Sequence, residues 1–411
     1  MVEETLLSVS DALERVLAGA AGALGTEMLA LHQCFGRRLG QDLAALRSQP
    51  PVAVSAMDGY AVRAADLAVR PASLKVVGQS AAGHGFGGAV GKRQAVRIFT
   101  GAPVPAGADC VLVQEKARLD GDQVTALESV QAGRNIRVAG LDFNTGDLLL
   151  NAGRRLGATE LALAAAMNHA RLPVARQPRV AILATGDELV PPGETPGPAQ
   201  IVASNSFAIA AYVTAAGGMP VDLGIAGDSF AALERGIRAA RTVEADILVT
   251  LGGASVGDHD LVKSALAREG MQLDFWRIAM RPGKPLIFGR LGDTRILGLP
   301  GNPVSSIVCA ILFLAPLIRA LCGDRHAGAD LTEPALLAVD VGPNDARQDY
   351  LRSALTPSAN GMAMVTPFGR QDSSMLRILA DAECLLVRAP NAPPAMAGTA
   401  CRIIRLDHGM R

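Results

Sequence analysis

Val180-Ala181-Ile182-Leu183-Ala184-Thr185-Gly186-Asp187-Glu188-Leu189 runs from an unbroken apolar segment into a turn carrying two acids. A short apolar run without polar alternation fits a strand buried on both faces, as in a parallel sheet covered by helices. The same texture recurs downstream. Strand candidates at 221–226, 247–251, 275–279 and 296–299 are separated by helix candidates at 206–216, 230–240, 260–268 and 304–321. Residues 178–326 therefore read as a doubly wound α/β domain.

Outward from this domain the texture changes. Toward the N-terminus, Ser8 or Ser10 can cap a helix over residues 8–17, and a second helix is expected over residues 28–43. Residues 50–144 are rich in Gly, Pro and short β-like runs, which predicts a small β domain. An Ala-rich helical pattern returns at 158–170. Beyond Gly328 short β runs reappear and predict a C-terminal barrel or sandwich.

The composition narrows the function classes. A chain of 411 residues exceeds one core, so two to four domains are expected. Lys plus Arg and Asp plus Glu both total 39, so any anion site must be local. One Trp and 3% aromatics argue against stacking platforms for nucleic acid. Six cysteines without a CxxC pair read as small buried hydrophobes in a reducing compartment. The acidic start lacks a secretory pattern. The apolar run 307–318 is too short to span a bilayer and contains Pro316. The expectation is a soluble cytoplasmic protein that binds neither nucleic acid nor membrane.

Several loops carry candidate chemistry. Gly83-His84-Gly85-Phe86-Gly87-Gly88 fits a dinucleotide pattern, but a strand-like segment follows where a helix is needed, so it reads as a β loop. Gly253-Ala254-Ser255-Val256-Gly257 fits a nucleophile elbow, with Ser255 as its serine. The competing reading is an anion loop, in which Gly252, Gly253 and Gly257 let backbone amides approach a phosphate. Asp258 and Asp260 follow and could serve Mg2+, or Asp260 could cap the next helix.

Thr185–Leu189 (TGDEL) places Asp187 and Glu188 after a strand. Arg281-Pro282-Gly283-Lys284-Pro285 offers two cations on a restricted loop. Gly298–Ser305 (GLPGNPVS), with Pro300 and Pro303, leads rigidly into a helix. The N-terminal half adds SAMDGYAV around Asp58 and TGAPVPAGAD around Thr100. Each motif has a bland alternative as a turn or a solvated surface. TGDEL, GGASVGD, RPGKP and GLPGNPVS all fall at carboxyl ends of expected strands, which predicts one cleft suited to phosphoryl or nucleotidyl substrates.

In this order, together with NIRVAG and Ser204-Asn205-Ser206, these motifs resemble the molybdopterin molybdenumtransferases, the family that includes the C-terminal domain of gephyrin. The likeness runs over nearly the whole chain. It implies four parts. Residues 1–45 plus 145–177 form an elongated linker domain, and 46–144 an inserted β domain. Residues 178–326 form an α/β domain similar to molybdopterin adenylyltransferase, and 327–411 a C-terminal β-barrel-like domain. It further implies a homodimer whose cleft lies between the α/β domain and the partner's β domain.

The implied reaction inserts molybdate into adenylylated molybdopterin, with Mg2+-dependent release of AMP. By motif, Asp58 and Thr100 would line the cleft. Asp187, Glu188, Asp228 and Asp258 would bind Mg2+ or position the attacking oxygen. Gly252, Gly253, Ser255, Gly257, Arg281, Lys284, Pro300, Pro303 and Ser373 would hold or shape the substrate oxyanions. Molybdopterin adenylyltransferase and molybdoenzyme-maturation proteins would be partners.

The sequence departs from the family pattern at Arg281, where many members carry Lys, and at Asp372 in Gln371-Asp372-Ser373-Ser374, where Gly is common. The segment Pro51-Val52-Ala53-Val54 also lacks a usual polar residue. These departures leave a tungstate-preferring paralogue as an alternative. A serine hydrolase using Ser255 and a non-catalytic scaffold are the rivals from other classes.

Overall fold

The computed structural model describes residues 6–20, 24–253, 261–357 and 361–406. Ser255, Gly257 and Asp258 lie outside these residues. The central sheet has six strands: β1 (Arg179–Thr185), β2 (Met219–Ala226), β3 (Ile247–Leu251), β4 (Gln272–Arg277), β5 (Pro285–Leu291) and β6 (Thr294–Leu299). Their order is β2-β1-β3-β6-β5-β4. The first four in that order are parallel, and β5 runs antiparallel to both β6 and β4.

The unbroken apolar run of β1 has a direct cause. Val180 and Ile182 face one core, with Ile209, Val213, Val308 and Leu317, while Ala181 and Leu183 face another, with Leu233, Ile237 and Leu266. With a side-chain period of two, a strand covered on both faces has no polar position to spare. Truncating Leu183 to Ala would cost about 2–5 kcal/mol through the cavity left behind.

Helices Asn205–Ala216 and Pro303–Cys309 cover the first face. The latter continues through a π segment, Ala310–Leu314, into Ala315–Leu321. This 19-residue stretch is long and apolar enough to cross a bilayer by composition, but it is mostly buried inside the protein. Helices Phe230–Thr242 and Leu261–Arg268 cover the second face.

Two expectations about secondary structure are overturned. The helix expected over 28–43 is instead the strand Thr26–Ala30, a 3-10 turn Leu31–Gln33 and irregular chain. Thr26–Ala30 pairs antiparallel with Arg171–Ala175, and Gly36 and Gly40 weaken any continuous helix. The second concerns the strand expected over 275–279, which ends at Arg277. Ile278 and Ala279 leave the sheet to meet Leu7. A strand absent from the expected set, β5, forms a tight hairpin with β6 in which Leu291 pairs with Thr294.

The first helix, Val9–Ala18, is capped by Ser8, whose hydroxyl accepts from the Asp11 amide at 3.1 Å. The inserted β region contains a six-stranded sheet that includes Gly59–Val62, Ala72–Ser80, Gln94–Ile98 and Cys110–Val113. The Gly83–Gly88 segment leads into Gln94–Ile98, a strand, so the helix of a dinucleotide site is absent there.

At the C-terminus, Glu333–Leu337, Gln348–Pro357, Ala363–Pro367, Cys384–Arg388 and Ala400–Arg405 close into a barrel, because Gln348–Pro357 pairs with both Ala363–Pro367 and Cys384–Arg388. Met280–Arg281 joins this barrel as a short extra strand, parallel to the start of Gln348–Pro357.

Candidate active site

The carboxyl ends of β1, β3, β4 and β6 lie along one edge of the central sheet, since β4 and β6 are both antiparallel to β5. Open α/β sheets bind ligands at this edge, beyond their strand ends. A cavity of about 680 Å3 lies there. Its wall combines Thr185, Gly186 and Glu188 after β1 with Gly252 and Gly253 after β3. Pro285 enters from the basic loop, and Pro300 to Pro303 follow β6.

The anion loop takes its shape from two glycines. Gly252 and Gly253 have φ values of +101° and +68°. A Cβ on Gly253 would lie 2.1 Å from Val262 Cγ2, and one on Gly252 would lie 2.6 Å from the Thr185 carbonyl oxygen. No side chain fits between this backbone and its neighbours, so the chain stays open for an anion to approach.

Opposite, the loop after β6 is braced from two sides. Asn205 Nδ2 donates to the Gly301 carbonyl at 2.7 Å, and the Ser306 hydroxyl donates to the Pro300 carbonyl. The helix Pro303–Cys309 begins at this end of the cavity, with a proline that has no N–H at its first position.

The acids form an exposed group. Asp187 Oδ1 accepts from the Asp228 amide at 3.0 Å, and Asp228 Oδ2 accepts from the Asp187 amide at 3.4 Å. This reciprocal pairing joins the turn after β1 to the turn after β2. Glu188 and Asp228 line the cavity, whereas Asp187 lines an adjoining hollow with Phe207 and Pro191. Among the described residues, no three His, Cys, Asp or Glu side chains form a metal-holding group.

The two cations of the basic loop part company. Arg281 was expected to hold an oxyanion, but its guanidinium binds Asp349 of the barrel. Nε donates to Oδ1 at 2.9 Å and Nη2 donates to Oδ2. Asp345 lies 3.4 Å away on the same guanidinium. These acids, Asp349 first, push the Arg281 pKa up. Arg281 thus serves as a clamp between the α/β domain and the barrel. Lys284 is half-buried and has no ion-pair partner among the described residues. Its neighbour Pro285 is in the cavity wall.

The barrel also reaches the cavity. Arg352 is buried and donates to the Gln371 side-chain oxygen at 3.0 Å and to the Asp372 carbonyl at 2.7 Å. The Val304 amide donates to the Ser373 carbonyl at 3.1 Å, and Ser374 lines the wall. Asp372 turns onto Ser374, accepting from its amide and hydroxyl at 2.8 and 2.6 Å. Those bonds, the hydroxyl first, hold its pKa down.

Asp58 and Thr100 meet as a pair in the β region. Asp58 Oδ1 accepts from the Thr100 amide at 2.7 Å and from its hydroxyl at 2.8 Å, and both bonds lower the Asp58 pKa. Neither residue is part of the cavity wall in its own chain. Asn205, Ser374 and Arg352 were not among the residues singled out from sequence. The first sits in the Ser204-Asn205-Ser206 motif, but nothing local marks Arg352 as a support for a loop 19 positions away.

Comparison with known proteins supplies the family. The MoeA N-terminal region (domain I and II) matches residues 7–168, a probable molybdopterin binding domain matches 181–320, and the MoeA C-terminal region (domain IV) matches 334–406. Molybdopterin molybdenumtransferase of Haemophilus influenzae is 33% identical over 404 residues, covering 98% of this chain and 99% of that protein. The chain belongs to the MoeA family.

Two further matches support this MoeA-family assignment. Molybdopterin molybdenumtransferase 2 of Mycobacterium tuberculosis is 35% identical over 399 residues, covering 95% of this chain and 97% of the relative. The structure of the molybdopterin biosynthesis MoeA protein of Pyrococcus horikoshii superposes with a TM-score of 0.80 at 26% identity, over 97% of this chain and 99% of that one.

Proposed function

We propose that this chain inserts molybdate into adenylylated molybdopterin and releases AMP, in the cytoplasm and as a homodimer. The observation that carries the reading is the cavity at the strand ends, where the Gly252–Gly253 loop, the start of the Pro303 helix and the acids Glu188 and Asp228 face one volume. Anion loops beside hard carboxylates suit a phosphoanhydride substrate.

The roles follow from position. Gly253 offers its backbone amide to phosphate oxygens, the Gly252 amide being held by the Leu299 carbonyl at 3.2 Å, and Ser305 offers a second amide at the start of the helix. Lys284 supplies a mobile point charge to molybdate or phosphate oxygens, and Ser373 holds the edge of the loop that closes the wall. Pro300 and Pro303 fix the path of the loop after β6.

Mg2+ keeps several waters and needs only one or two carboxylates beside substrate phosphates, so Glu188 and Asp228, with Asp187 next to Glu188 in the chain and Asp258 added by its motif, form a chemically suitable oxygen set. When bound it would neutralise phosphoanhydride charge. Asp58 and Thr100 would enter the cleft from the partner subunit, with the carboxylate held ionised and aimed by the Thr100 hydrogen bonds.

Purified protein mixed with adenylylated molybdopterin, Mg2+ and molybdate should form a cofactor that activates a cofactor-free molybdoenzyme. Failure to activate it, with no AMP released from the adenylylated molybdopterin, would remove the assignment. Tungstate in place of molybdate tests the paralogue reading in the same assay.

A further inference from the structure

A second cavity, of about 460 Å3, lies between the N-terminal linker region and the α/β domain. It shares no lining residue with the strand-end cavity. Four arginines line it: Arg37 and Arg38 from one side, Arg155 from the segment beside them, and Arg319 from the Ala315–Leu321 helix.

The fixed acids do not balance these charges. Arg37 pairs with Glu27 at 2.6 Å and also donates to the Ala175 carbonyl. Arg38 and Arg319 share one carboxylate, that of Asp324, each at 2.7 Å. Four guanidiniums thus face two carboxylates, leaving an excess of two positive charges. Arg155 is exposed and has no ion-pair partner among the described residues; its Nη2 lies beside Gly36. The crowding has a cost. Burial lowers the Arg38 pKa, Asp324 opposes this, and Arg319 and Arg155 lower it further.

The remaining wall is apolar or satisfied. The Gly217 carbonyl, at the end of helix Asn205–Ala216, already accepts from Gln177 Nε2 at 3.1 Å. Ala215 and Ala216 are small. Phe35 stands at the cavity with 70% of its surface exposed, in a chain with ten Phe and few exposed aromatics. The volume falls in the range of about 300–1,000 Å3 typical of small-molecule sites and exceeds the need of a bare tetrahedral ion.

We propose that this cavity is a second ligand site, for a small organic phosphate dianion, with the phosphate on Arg155, Arg38 and Arg319 and a ring or apolar body against Phe35. Guanidinium forks match phosphate oxygens in pairs, and a dianion would neutralise the excess charge of the wall. The site stands apart from the reaction cleft and does not depend on the function assigned to that cleft.

Phenyl phosphate and inorganic phosphate are the probes, titrated calorimetrically into the full chain at constant ionic strength. Both should bind, phenyl phosphate more tightly. Arg155→Ala, which removes no contact made by a described side chain, should weaken both at least about tenfold with an unchanged melting temperature. Phe35→Ala should bring phenyl phosphate down to the affinity of inorganic phosphate. Lys284→Ala, in the other cleft, should leave this binding intact. No binding to wild type would overturn the proposal. So would binding that survives Arg155→Ala, or binding lost in Lys284→Ala and kept in Arg155→Ala.

Discussion

Arg281 and Asp349 are paired twice, once by backbone register in a two-residue parallel ladder and once by a guanidinium gripping both carboxylate oxygens. The carboxylate is 5% exposed and the arginine side chain 48%. The loop that carries Lys284 is therefore pinned at its first residue to the C-terminal barrel. Arg281→Ala should destabilise the protein by about 2 kcal/mol. That is less than the roughly 3–5 kcal/mol for breaking a fully buried pair, because the arginine is half solvated. Chemical denaturation checks this, and Arg281→Lys should recover only part of the loss, since a point charge cannot grip two oxygens. A wild-type midpoint in Arg281→Ala would show that the clamp contributes nothing.

Lys284 has the opposite character: half-buried, next to the cavity wall, and without an ion-pair partner among the described residues. Lys284→Ala should raise the molybdate requirement or lower turnover while changing stability by no more than about 0.5 kcal/mol. Molybdate titration and thermal melting on one preparation separate the outcomes. Normal kinetics reject the oxyanion role, and a large melting shift assigns Lys284 to structure.

The Asp58–Thr100 pair and the cavity belong to different parts of the chain. If the cleft is shared across a dimer, Asp58→Asn and Lys284→Ala should each be impaired alone. Unfolding and refolding them together should restore about a quarter of wild-type activity, because half the dimers are mixed and each mixed dimer holds one intact cleft. No recovery in a preparation shown to contain mixed dimers would place both residues in one subunit's site.

The sequence was most legible where one local rule decides. β1 and β3 are buried on both faces, so their apolar runs announced themselves, and the acids and glycines at their ends could be placed on one edge of the sheet. It was least legible where a partner far along the chain decides. Arg281 looked like an oxyanion ligand because Asp349, 68 positions later, is invisible to any local window. Residues 28–43 resembled a helix because the strand that captures Thr26–Ala30 lies at Arg171–Ala175. Asp372 puts an acid where Gly is common, and its carboxylate is turned onto Ser374 by an Asx turn that a sequence alone does not orient.

Asp324 joins the linker region to the α/β domain through Arg38 and Arg319. Burial pushes its pKa up, but the His326 amide and the two arginines outweigh it and hold the group below its ordinary 3.8. A depressed carboxyl contributes stability that is complete above 3.8 and is lost as pH falls through the lower folded value. Asp324→Asn should therefore cost about 3 kcal/mol near neutrality, and less as the pH drops below about 3.8, where wild type loses the same contribution. A constant difference between the two proteins across that acid range would contradict the assignment.

The strand-end cavity, on the function proposed above, uses molybdate to discharge an adenylylated pterin. The most direct test follows AMP release from adenylylated molybdopterin by the purified protein with Mg2+ while molybdate is titrated. AMP release should rise with molybdate, saturate, and match the cofactor formed mole for mole. AMP release unaffected by molybdate, or none at any molybdate concentration, would contradict it.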